Sequence, residues 1–163
     1  MTSRKDFTPE EWNQLLQSPV LAGFYVIFSD PNSLGMFNEF RALFTAIFEQ
    51  HLSKDAEELV SSIVEEFGDK SNTPNGLPGF DSLPEGEPED EMEKAIKILE
   101  EVVILLETKA SPGEAAAVKT WLFGVAERVS EASKEGSRFG FGGERVSKKE
   151  KYALSKLRFT LRV

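Results

Sequence analysis

Two short stretches of this chain carry residue types at spacings that chemistry can use. In the first, Asp30-x-Asn32-x-x-Gly35 places oxygen ligands at the first and third positions of a calcium-type loop and glycine at the sixth. Its fifth position is Leu34 and its twelfth is Arg41, a cation where the chelating carboxylate belongs. A weak divalent-metal contact through Asp30, Asn32 and Glu39 stays open beside the simpler reading, a turn that starts a helix. In the second stretch, Gly140-Phe141-Gly142-Gly143 lies between Arg138 and Arg145 and runs into a helix start at Ser147. Free backbone N–H groups, two guanidinium groups and a helix N-terminus are the parts of an anion nest. Arg138, Gly140, Gly142, Gly143, Arg145 and Ser147 are therefore a candidate anion site. A tight interhelical turn that needs positive φ explains the same glycines.

The rest of the inventory is mostly exclusion. The 163 residues contain no cysteine, so a disulfide framework, a thiolate nucleophile and a thiolate metal site are ruled out. The single histidine, His51, leaves no spare imidazole for a multi-histidine metal site and reads as a histidine near a helix end. Walker, dinucleotide and serine-elbow signatures are missing. Paired acids such as Glu57 with Glu58 and Glu65 with Glu66 point about 100° apart on a helix, which makes a solvated face rather than an acid–base pair. The expectation is a non-enzymatic protein without a cofactor, with a divalent metal as the open alternative.

Charge is unevenly placed. The total is −9, yet residues 138–163 hold eight Lys or Arg against two Glu, a balance of +6 that leaves −15 on residues 1–137. An acidic body argues against nucleic acid, whose phosphates need a field of the opposite sign. A basic last helix on that body predicts association with a protein partner, or with further copies of the chain, by charge complementarity. The longest apolar run, residues 19–28, is ten residues where a membrane span needs about 20. No span is expected, and a cytoplasmic location follows from that and from the polar run after Arg4 and Lys5.

Helices must position these groups. Thr8-Pro9-Glu10-Glu11, Ser111-Pro112-Gly113-Glu114 and Ser147-Lys148-Lys149-Glu150 each put a hydroxyl at N-cap and a glutamate three residues on, a capping box. The first of these helices should stop near Gln17, because Pro19 disfavours helical geometry at Ser18, and a short apolar helix should restart through Phe28. Met36, Phe37, Phe40, Leu43, Phe44, Ile47 and Phe48 recur at three- and four-residue spacing, an amphipathic helix whose phenylalanines read as core. A further helix should run from about Lys54 to Phe67 and stop at Gly68. Residues 69–88, with four prolines, read as a long loop. Helices of about 88–108 and 112–134 follow, and the last buries Tyr152 or Ala153 with Leu154, Leu157 and Leu161. The sum is a single all-α domain, a bundle of six or seven helices.

Each half has one further pattern: an apolar helix (Val20 to Phe28; Trp121 to Val129) turns into a helix with glutamate near its start, Glu39 in one and Glu150 in the other. In residues 19–52 and 115–162 the chain resembles the tellurite-resistance TerB-like helical proteins. Those segments read Asp-Gly and then glutamate about seven residues on. Here Asp30 precedes Pro31, its glutamate follows nine later, and Gly143-Glu144 stands in the second half. The resemblance implies two related helix-turn-helix halves, a stress-related role, and acidic metal contacts that carry over to Asp30 and Glu39. Overall the sequence reads as an interaction or scaffold module, with an anion or small-ligand sensor at residues 136–147, or a weak divalent-metal domain, as alternatives.

Overall fold

Thr8 opens the first helix as its sequence predicts: the Thr8 hydroxyl accepts the Glu11 N–H at 3.2 Å, and the Thr8 N–H donates to the Glu11 carboxylate at 2.7 Å. The structure, a computed structural model, describes residues 1–31, 36–49, 57–71, 85–136 and 146–163. Within them lie six helices: α1 (Pro9–Ser29), α2 (Met36–Glu49), α3 (Glu57–Ser71), α4 (Pro88–Lys109), α5 (Pro112–Gly136) and α6 (Lys148–Leu161). The described residues contain no strand, and the protein is an all-α bundle. No described helix is long and apolar enough to cross a membrane.

Helix α1 does not break at Pro19. It is continuous over Pro9–Ser29, where the sequence predicted two pieces. Proline has no N–H, so the Leu15 carbonyl one turn earlier loses its helical donor. The Ser18 hydroxyl supplies one instead, donating to Leu15 O at 2.7 Å. Every residue of 18–27 is buried, so this polar repair takes place out of reach of water. Helices α2 to α6 all pack on α1, and α5 likewise touches each of the others. These two helices are the centre of the bundle. At the α1–α2 crossing, a Cβ on Gly23 would collide with Cδ1 of the fully buried Leu43, so glycine sets how closely the helices approach.

Two other boundaries differ from expectation. Helix α3 runs through Gly68 to Ser71, so this glycine does not end it; Phe48 Cε1 lies 3.4 Å from where a Gly68 Cβ would stand, an ordinary contact. Phe48 itself is 47% exposed, although its ring meets Phe67 at 5.9 Å, so it belongs to the edge rather than to the core. Phe24 is fully inside and touches Phe28 and Phe40, which are partly buried. Glu114 does more than cap α5. Its carboxylate accepts the Ser111 N–H at 3.1 Å and the Ser111 hydroxyl at 2.7 Å, and also the Thr2 N–H and hydroxyl at 2.7 and 2.8 Å. One buried carboxylate thus ties the first residues to α5.

Ser18→Ala removes the hydroxyl that donates to the buried Leu15 carbonyl, at a cost of about 1–3 kcal/mol. The helix-propensity gain from alanine is about 0.5 kcal/mol, too small to offset it. Urea unfolding of the variant should show a lower midpoint with an unchanged m-value. Burial pushes the Glu114 carboxyl up, but its hydrogen bonds from Ser111 and Thr2 outweigh that and hold it at about 2, below the ordinary 4.5. A depressed folded pKa gives stability that is present above the unfolded value and lost as pH falls toward the folded one. Stability should therefore decline between pH 4.5 and 2, and Glu114→Gln should flatten that part of the curve while lowering stability at neutral pH.

Candidate functional site

The last residues of α1 meet the first turns of α4 and α6 at one end of the bundle. Between them is a cleft of about 730 Å³, floored by Phe28, Pro31 and Met92 and rimmed by Glu87, Glu89, Asp90 and Lys149. A shallower depression of about 320 Å³ adjoins it, shares Ser29, Met92 and Lys149 with it, and adds Lys148, Tyr152 and Ala153. Each wall follows from its local sequence. Pro88 starts α4 with its fixed φ. The acids Glu89, Asp90 and Glu91 sit in that first turn, where the helix dipole favours them. Ser29 closes α1 by donating its hydroxyl to Val26 O at 2.6 Å.

Asp30 follows directly and lies 3.8 Å from the Lys149 ammonium. That pair links the two stretches with chemical potential: the end of α1, where the calcium-like spacing begins, stands against the first turn of α6, where the glycine-rich stretch ends. Ser147 is occupied as a cap. Its hydroxyl accepts the Glu150 N–H at 3.1 Å, and its own N–H donates to the Glu150 carboxylate at 3.0 Å. Glu150 is only 2% exposed and Glu39 only 1%, both in the opening turn of their helices. Glu39 does not line the cleft. Asn32, His51, Arg138, Gly140, Gly142, Gly143 and Arg145 lie outside the described residues. Among the described residues no three His, Cys, Asp or Glu side chains converge as a metal ion requires.

A second feature starts at the same end. Helix α6 buries Ala153, Leu157 and Leu161 at four-residue spacing, which decides between Tyr152 and Ala153 for the inward position. Tyr152 is 73% exposed and Phe159, seven residues on, is 79% exposed. Two turns of helix bring them to the same outward face. Lys148, Lys151 and Lys156 on this helix have no ion-pair partner among the described residues, whereas Arg158 stacks over Phe123 at 4.7 Å. Burial, and then the charge on Tyr152, push the phenol of Tyr25 up. The sequence held the signal for this face in the seven-residue spacing opposite the leucine stripe.

No protein-family model matches the chain, and neither a curated protein nor a solved structure matches it.

The reciprocal bonding of Ser147 and Glu150 makes Ser147 a structural cap in the absence of any anion. Ser147→Ala should lower unfolding free energy by about 1 kcal/mol in phosphate-free buffer. Equal stability of variant and wild type under those conditions would remove the cap as the residue's role.

Proposed function

We propose that this chain is a non-enzymatic cytoplasmic interaction module whose contact face is the outward side of α6. The single observation that carries the reading is the pair Tyr152 and Phe159, 73% and 79% exposed, set among lysines on a chain whose total charge is −9. Large aromatics standing in water are costly to leave bare, and an aromatic centre with a cationic rim is the anatomy of a protein-binding patch. The chemistry it fits is an acidic surface with apolar residues among its carboxylates. The non-enzymatic reading is supported by the described acids, several of which are spent on structure: Glu150 and Glu114 on caps, Asp30 on Lys149.

A Glu- and Leu-rich helical peptide is a suitable probe. Tyr152→Ala/Phe159→Ala should weaken its binding at least about tenfold, the ordinary effect of losing aromatic anchors. Phe48→Ala on α2, an exposed aromatic elsewhere, should leave binding unchanged. Unaltered binding by the double variant would remove α6 as the contact face.

A ligand sensor is the second reading, favoured by the cleft of about 730 Å³ beside Lys149. It is tested by thermal shift with phosphate, nucleotides and divalent ions, where a ligand at 100 times its Kd adds about 2.7 kcal/mol. The TerB-like resemblance, and with it a stress-related role, is a further reading that rests on the sequence pattern around Asp30, Glu39 and Glu150 alone.

A further inference from the structure

The outer faces of α4 and α6 are neighbours of opposite charge. The two helices pack against each other and run the same way: Met92 in the first turns of α4 lies by Lys148 and Ala153 of α6, and near the other end Glu107 pairs with Arg162. Glu107 and Arg162 are 55 residues apart in sequence, and both helices rise equally per residue. A residue of α4 therefore stands at the height of the α6 residue about 55 positions later. On α4, Glu93, Lys97, Glu100 and Ile104 share one outward stripe by their three- and four-residue spacing, with Lys97 bridged to Glu93 at 3.2 Å. Ile104 is 57% exposed there, an aliphatic side chain among acids. On α6 the matching heights hold Lys148, Lys156 with Ser155, and Phe159.

We infer that a second copy of this chain docks on the joint face of α4 and α6, about a two-fold axis parallel to both helices. Such a rotation keeps each residue's height and exchanges left for right, so α4 of one copy faces α6 of the other. Glu93 then meets Lys148 of the second copy, Glu100 meets Lys156, and Ile104 meets Phe159. Each contact occurs twice, as an isologous interface requires. The other in-plane two-fold axis, across the helices, would set α4 on α4 and α6 on α6, the latter with lysine against lysine. Charge selects between them. A partner stripe with two carboxylates and an apolar residue beyond them, Lys97 lying between the carboxylates, is already present in the chain itself at the spacing of the basic stripe. The inference rests on α6 as a contact face and names its occupant.

Sedimentation velocity of the wild-type chain at about 50 mM salt should show a concentration-dependent dimer, and at about 500 mM salt its dissociation constant should rise at least about tenfold as screening shortens. Lys148→Glu/Lys156→Glu alone and Glu93→Lys/Glu100→Lys alone should each be monomeric. An equimolar mixture of the two should dimerise again, because every facing pair is then of opposite sign. A wild-type monomer at all concentrations, or a mixture that stays monomeric, overturns the dimer. If that monomer still binds the Glu- and Leu-rich peptide through Tyr152 and Phe159, the contact-face reading stands without the dimer. If it binds neither, both fall.

Discussion

The bundle depends on keeping one helix intact where water cannot help it. All five other helices rest on α1, and its middle ten residues, 18–27, are buried on every side. A proline in that stretch would ordinarily leave a bare carbonyl in an apolar interior, a defect comparable to a fair part of a domain's net stability. The Ser18 hydroxyl removes the defect from within the same turn. Because α1 continues past Pro19, its last turn reaches the end of the bundle, where Phe28, Ser29 and Pro31 form one side of the cleft and Asp30 meets Lys149.

What could be read in advance from the residues was whatever is decided within one turn of helix. The capping boxes at Thr8, Ser111 and Ser147 are three-residue patterns, and all three form with the expected reciprocal bonds. Lys94 and Lys97 pair with Glu91 and Glu93 for the same reason. Pro19 was misleading because the rule for proline concerns the backbone alone, while the outcome turned on a neighbouring hydroxyl and on packing by five helices. Gly68 was misleading because a glycine that ends a helix and one that lies within a helix look alike in one dimension. The cleft could not be read at all, since its walls come from residues 28–31, 87–92 and 148–153, which only the packing of α1, α4 and α6 brings together.

Acids do two distinct jobs in this molecule. Glu11 and Glu107 are held below the usual carboxylate range, each chiefly by a lysine hydrogen bond, from Lys109 and Lys119 respectively. Those pairs tie α4 to α1 and to α5, and being partly exposed they contribute specificity of packing more than free energy. The outward acids of α4 make shorter-range pairs, Glu91 with Lys94, Glu93 with Lys97 and Glu101 with Gln14, while Lys148, Lys151 and Lys156 of α6 have no ion-pair partner among the described residues. Lys148 and Lys149 even stand in the first turn of α6, where the helix dipole disfavours cations. Glu150, buried and bonded to Ser147, opposes that cost, as does Asp30 at 3.8 Å from the Lys149 ammonium.

Helix α6 must therefore satisfy two demands with a single rotation about its axis. Ala153, Leu157 and Leu161 have to face the bundle, and only then do Tyr152 and Phe159 face away from it. Successive residues differ by about 100°, so a slip of one position would place Tyr152 where Ala153 now packs and send the leucines outward. Both ends are fastened against such a slip. Ser147 and Glu150 fix the start, and at the finish Arg162 adopts a left-handed conformation while the Arg162 and Val163 N–H groups donate back to Phe159 O and Arg158 O at 3.2 Å. That is a Schellman ending built on arginine where glycine is usual. The side chain that only a non-glycine residue provides reaches Glu107 of α4 and locks the height of one helix against the other. The Arg162–Glu107 pair thus joins the end of α6 to α4 in the alignment that sets Lys148 and Phe159 level with Glu93 and Ile104.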